Sequence, residues 1–142
     1  MDTSPLATPQ NAATGVQLYR TQLDGIRKIL AEAHISKRNS SIIRGREAGE
    51  KLDTHVTCML MLSEILEGSS ATPDAQPEDF TGRPLCKATD TISLFLNAPS
   101  LDRLEIHAKR RGELLALLDH AAVLVDEACA RIEGTGNKGL TQ

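Results

Sequence analysis

The C-terminal third of the chain constrains the fold more than any other segment. Leu101, Leu104, Ala108, Arg111, Leu115, Leu118, Ala122, Val125, Cys129 and Ile132 recur at alternating spacings of three and four, the period of a helix with one continuous seam. A second apolar stripe, Leu114, Leu117, Ala121, Leu124 and Ala128, runs beside the first. One neighbour cannot cover so wide an arc, so this helix is expected at the centre of its domain. Ser100 is placed to cap it, Asp102 lies in its first turn and Gly134 closes it, for a length of roughly 50 Å at 1.5 Å per residue. Only Arg111 interrupts the apolar seam.

Three further segments carry the same period. Val16, Tyr19, Leu23, Ile26, Leu30 and Ala33 define a first helix, with Thr14 and Gln17 spaced as a capping box and a turn at Lys37 to Ser40. A second helix is expected from near Ser41 to about Glu67, with Ala48, Leu52, His55 or Val56, Met59, Leu62 and Leu66 inward and Gly68 as its C-terminal cap. Gly45 and Gly49 weaken its start, or let a neighbouring backbone approach closely. Pro84 suits the first position of a short third helix, with Leu85, Ala88, Ile92, Phe95 and Leu96 inward before Asn97 and Pro99 end it. The expected class is therefore all-α: an antiparallel bundle of three long helices and one short helix. One domain is expected over 15–133, with a mobile loop at 68–84 rich in Pro, Gly and acidic residues, and disordered tails at 1–14 and 134–142.

Composition agrees with that class and narrows the function. With 2% aromatic residues and no Trp, the chain lacks the large side chains that sandwiches and barrels bury. Its 142 residues suffice for one core. A formal charge of -3 disfavours a generally basic nucleic-acid binder. The longest apolar runs, such as Cys58 to Leu62, fall far short of the ~18 residues a membrane span needs. Cys58, Cys86 and Cys129 form no C-x-x-C pair and are odd in number, which points to a reducing, cytoplasmic location.

Chemistry-bearing constellations are sparse. Of the four histidines, His34, His55, His107 and His120, only His55 has a second metal-ligating residue, Cys58, at helical spacing, so neither metal nor cofactor is expected. No nucleophile turn or phosphate-cradling loop can be read, and no enzymatic activity is expected. His107, with Lys109 and Gly112 nearby, is a rough match to an exposed phosphorelay histidine, and a regulatory protein of that type is the alternative reading. The sharpest charge feature is His107 to Arg111, which with Arg103 makes part of the last helix basic. The plainer reading is a solvated face; the functional one is docking on an acidic partner surface, because Arg111 occupies a seam position where packing alone would place Leu or Ala. Nucleic acid fits poorly, since no aromatic residues interleave with the basic ones.

The stretch EIHAKRRGELLALLDHAAVLVDEA, Glu105 to Ala128, resembles the last helix of a BAG domain, and EAGEKLDTHV and LSEILEG, at 47–56 and 62–68, resemble the helix before it. BAG domains are three-helix co-chaperones that bind the ATPase domain of the major heat-shock chaperone and promote nucleotide exchange. The resemblance implies that Arg111 is the docking arginine, followed by Leu115 and Leu118, with Asp119 where a Gln is expected. The expectation is thus a non-enzymatic protein-protein interaction module, an adaptor or small complex subunit. Its partner-binding residues would be Lys109, Arg110, Arg111 and Asp119, a heat-shock ATPase is one partner it would dock on, and self-association stays open.

Overall fold

The computed structural model describes residues 11–67, 83–97 and 103–141. In chain order the elements are α1 (Ala12–Glu32), β1 (His34–Ile35), β2 (Ser41–Arg44), α2 (Arg46–Glu67), α3 (Pro84–Phe95), β3 (Arg103–Ile106) and α4 (Ala108–Thr141). The protein is mostly helical, and a small antiparallel sheet of order β1-β2-β3 closes one end. Helix α1 packs on α2 and α4, and α3 packs on the same two helices from the other side. Arg20 meets Asp126 and Arg27 meets Asp119, so numbers rise along α1 as they fall along α4 and the two helices are antiparallel.

The core is one hydrophobic cluster filled from every helix. Tyr19, Leu23 and Ile26 come from α1, Met59 from α2, Leu85 and Ile92 from α3, and Leu114, Leu118 and Val125 from α4. Each such side chain contributes roughly 1.5–3 kcal/mol on burial. The inner line of α4 is neither expected stripe. Leu114, Leu118, Ala121, Val125 and Ala128 are buried, whereas Leu115 keeps 39% of its surface exposed. Because α4 is held between α1 and α3, the line facing both runs between the two stripes and takes residues from each.

The sheet corrects the all-α expectation at two places. Ser41–Arg44, read as the start of the second helix, is β2, and Arg103–Ile106, read as the first turn of the last helix, is β3. They pair in the register Ser41↔Ile106, Ile42↔Glu105, Ile43↔Leu104 and Arg44↔Arg103. Four apolar or amphipathic residues satisfy a helical seam as readily as a strand, and pairing between segments this far apart leaves no local signal. Gly45 makes the change from strand to helix possible, since its φ of +99° lies where a side chain would be strained. The expected turn at Lys37 to Ser40 is present as the β1–β2 link. Asn39, at φ +63°, closes it with hydrogen bonds from the Asn39 amide to the Ser36 carbonyl and from the Ser36 amide to the Ser40 carbonyl, both 2.9 Å.

Helix ends also moved. Helix α1 starts at Ala12, before Thr14 and Gln17 could form a capping box, and Asn11 precedes it without a side-chain cap. Part of the expected N-terminal tail is therefore helical. Helix α4 continues past Gly134 to Thr141, since a glycine inside a helix costs only about 1 kcal/mol relative to Ala and does not forbid it. Pro84 does occupy the first turn of α3, as expected. Of the expected loop at 68–84, residues 68–82 lie outside the described residues, as do Ser100, Leu101 and Asp102.

Candidate functional site

Pairing β2 with β3 brings together two segments that the sequence keeps far apart and that share one composition. Residues 34–46 carry Lys37, Arg38, Arg44 and Arg46 with no acidic residue, and residues 103–111 carry Arg103, Lys109, Arg110 and Arg111 against Glu105 alone. These two segments thus hold eight of the 16 basic residues and one of the 19 acidic ones in a chain of net charge -3, with Glu32 and Glu47 bordering the groove beside Arg44. Neutralisation differs as well. Arg46 pairs with Glu50 at 3.0 Å and Arg103 with Glu105 at 3.3 Å, but among the described residues Lys37, Arg38, Arg44, Lys109, Arg110 and Arg111 form no ion pair. Away from the sheet, Arg20, Arg27, Lys51, Arg83 and Arg131 all have acidic partners. Arg44 and Arg103 face each other directly across the ladder, an arrangement that costs stability when left uncompensated.

Arg111 is the organiser of this end. Its Nη1 donates to the Asn39 carbonyl and to the Ser41 hydroxyl, both at 3.0 Å, and its Nη2 donates to Asn39 Oδ1 at 3.3 Å. The planar guanidinium serves these acceptors at once, which a lysine ammonium could not reproduce in the same geometry. Ser40, buried beside it, meets His107 Nδ1 at 3.0 Å, and its amide donates to Ser36 Oγ. A seam position is therefore spent on a cation because α4 starts against a polar turn instead of an apolar helix. All of Arg111's acceptors are neutral, so its charge stays uncompensated.

The residues expected to dock a partner separate here. Lys109 is exposed, Arg110 lies 4.2 Å from the centroid of the Phe95 ring at the end of α3, and Asp119 is bound to Arg27 of α1 at 2.6 Å. Arg110, Arg111 and Asp119 thus turn to α3, the β1–β2 turn and α1 respectively. His107 is exposed next to Arg111, and Leu115 but not Leu118 reaches solvent.

Two polar arrangements away from the sheet were not legible in the sequence. Glu67, at 0% exposure, accepts hydrogen bonds from the Leu85 and Cys86 amides, both 2.8 Å, and from Arg131 at 3.0 Å. It serves the free amides at the start of α3 from another helix. Beside it, Thr89 gives its hydroxyl proton to the Leu85 carbonyl and so accepts from Tyr19, at 2.7 Å. Burial raises the Tyr19 pKa and pushes the Cys86 thiol up to about 12. Apart from the exposed Arg131, the group is closed to solvent and functions as a joint between helices.

The second arrangement is His55 against Gly25. Gln22 Nε2 donates to the Leu18 carbonyl, which orients its Oε1 towards His55 Nδ1 at 2.8 Å. His55 thereby donates from Nδ1, and burial followed by the nearby Lys51 charge lowers its pKa. Cys58 is the one residue at metal-ligand spacing from His55, and among the described residues no group of three His, Cys, Asp or Glu side chains could hold a metal ion. Nor is any described helix long and apolar enough to cross a membrane.

A cavity of about 280 Å³ lies between α2, the end of α3 and the inner face of β2 and β3, lined by Ile43, Leu52, Val56, Leu60, Leu96 and Leu104 among others. Compared with known protein families, curated proteins and solved structures, the chain matches none.

Proposed function

We propose that this protein is a non-enzymatic interaction module that docks through its basic sheet end on an acidic surface of another protein. The observation that carries the reading is the cluster of six basic side chains without an acidic partner, gathered by the β2–β3 pairing in a protein whose other cations are mostly paired. Four of the six are arginines, whose fork suits carboxylates. Mutual repulsion at the surface is relieved when carboxylates are supplied from outside, and the field also speeds encounter. The narrower form, a BAG-like co-chaperone within a bundle of three long helices and one short one, would dock through Lys109, Arg110, Arg111 and Asp119; with Arg111 bound to Asn39 and Ser41 and Asp119 to Arg27, the charge left for a partner is that of Lys109 and Arg110. Arg111 then holds the surface in shape instead of touching the partner.

The test is affinity capture from nuclease-treated lysate, comparing the wild type with Arg44→Glu/Lys109→Glu. Both side chains are exposed and make no hydrogen bond or ion pair among the described residues, and Arg44→Glu removes the like-charge pair with Arg103, so the variant is expected to melt no lower than the wild type. A defined acidic protein recovered by the wild type, released by moderate salt and lost with the variant supports the reading. If that protein is a heat-shock ATPase, the co-chaperone form follows. Identical recovery by both forms refutes docking at this end. Tight binding of a duplex oligonucleotide, with the steep salt dependence of counterion release, would reassign the end to nucleic acid.

A further inference from the structure

We infer that the partner segment is held as an added strand on β3, and that it is an extended stretch alternating acidic with large apolar residues. This rests on the reading of the sheet end as an acid-docking surface and specifies how the docking is made. Strand β3 is an edge of the sheet, and among the described residues no backbone hydrogen bond reaches it from any element except β2. An uncovered edge presents amides and carbonyls in the pattern that a further strand completes.

The two faces of that edge differ in chemistry. On the inner face, Leu104 and its ladder partner Ile43 border the 280 Å³ cavity, whose apolar floor is Leu52, Val56 and Leu60. The cavity opens to solvent, because Leu94 at its rim is 64% exposed and Asp53, Thr57 and Asn97 are exposed too. On the outer face stand Arg103 and Arg44, opposite each other; Glu105 pairs with Arg103, and Arg44 has no ion pair among the described residues. Successive side chains of a strand point to opposite faces. A strand laid along β3 therefore sends one set of side chains over the cavity and the other beside the arginine pair. Apolar residues fill the first position and carboxylates satisfy the second. Asp53 at the cavity rim repels an acidic residue placed in the wrong alternation and so fixes the register.

The probe is a fluorescein-labelled, terminally blocked heptapeptide alternating Glu and Leu, followed by anisotropy and by shifts of the Arg103 to Ile106 amides in 15N spectra. Three companions are titrated beside it: the two forms N-methylated at one or the other set of alternate amides, and a heptapeptide of Glu alone. The parent peptide is expected to bind and to move the β3 amides. One N-methylated form is expected to bind about tenfold more weakly or worse and the other to bind normally, because only one set of amides faces β3. The Glu-only peptide is expected to lose about tenfold through the unfilled cavity. Arg44→Glu/Arg103→Glu should weaken the parent peptide at least tenfold, with the helical circular dichroism and the 15N spectrum of the core retained to show that the variant is folded. If the Glu-only peptide and both N-methylated forms bind as well as the parent, yet all respond to the charge reversal, strand addition is overturned and acid docking stands. If the parent peptide binds but is indifferent to the charge reversal, or does not bind at all, strand addition to this edge is overturned too. Indifference to the reversal counts also against the basic end.

Discussion

Replacing Gly25 by Ala sets two effects of opposite sign against each other, and the structure decides between them. In an isolated helix the change stabilises by about 1 kcal/mol, since glycine is the poorer helix former. In this protein a Cβ at position 25 would lie 2.4 Å from His55 Nε2 and 2.5 Å from Cε1. The ring must swing away by about an ångström to restore van der Waals distance, and the 2.8 Å hydrogen bond to Gln22 goes with it. Overpacking of this kind costs about 1–3 kcal/mol and the hydrogen bond about 0.5–1.5 kcal/mol. Subtracting the helix gain leaves a net loss of about 1–2 kcal/mol, or a fall in Tm of several degrees. With His55→Ala in place the obstacle is gone, and Gly25→Ala should stabilise by up to about 1 kcal/mol. The assay is urea unfolding of the four proteins of this cycle, followed by circular dichroism at 222 nm. The sign reversal is the signature, with a coupling of about 2 kcal/mol. Stabilisation by Gly25→Ala in the wild-type background, or a coupling below about 0.5 kcal/mol, would refute the reasoning.

Four further outcomes are expected. Glu67→Gln keeps the shape of the joint but removes the charge that serves two amides and Arg131, and should cost about 2 kcal/mol in denaturant unfolding. Because the folded state lowers the His55 pKa, the unfolded chain binds the proton more readily, so stability present above the ordinary value of about 6.5 is lost as pH falls through the lowered folded value. Melts between pH 7 and 5 should therefore decline less steeply for His55→Gln than for the wild type. Arg111→Ala should destabilise by about 1–2 kcal/mol through its lost hydrogen bonds and speed hydrogen exchange at Ser36 to Ser41, with little rescue by Arg111→Lys. Native alkylation at pH 8, mapped by mass spectrometry, should leave Cys86 for last, since it is buried and its thiol is held near 12, while half-buried Cys58 reacts earlier.

The candidate site was half legible beforehand. The run Lys109 to Arg111 stands out in the sequence, and Arg111 on an apolar seam signals a special contact, but the same signal fits an outward docking residue and an inward clamp. Which of these it is depends on Asn39 and Ser41, far away along the chain. The other half of the basic end, Lys37 to Arg46, shows no feature until β2 lies against β3. A residue count over 34–46 would have found four bases and no acid, though not what they join.

Local chemistry alone determined the helices. Alternating spacings of three and four in α1, α3 and most of α4, and Pro84 at the start of α3, are properties of neighbouring residues, and a helix is closed by hydrogen bonds between neighbours. Tertiary structure decided everything that depends on distant partners. Ser41–Arg44 and Arg103–Ile106 are strands because they found each other, Glu67 could be buried because the amides of α3 came to it, and Gly25 matters because His55 lies on it. The surface assigned to binding belongs to this second class: its charges are written in two separate segments, and only the ladder between them makes one site.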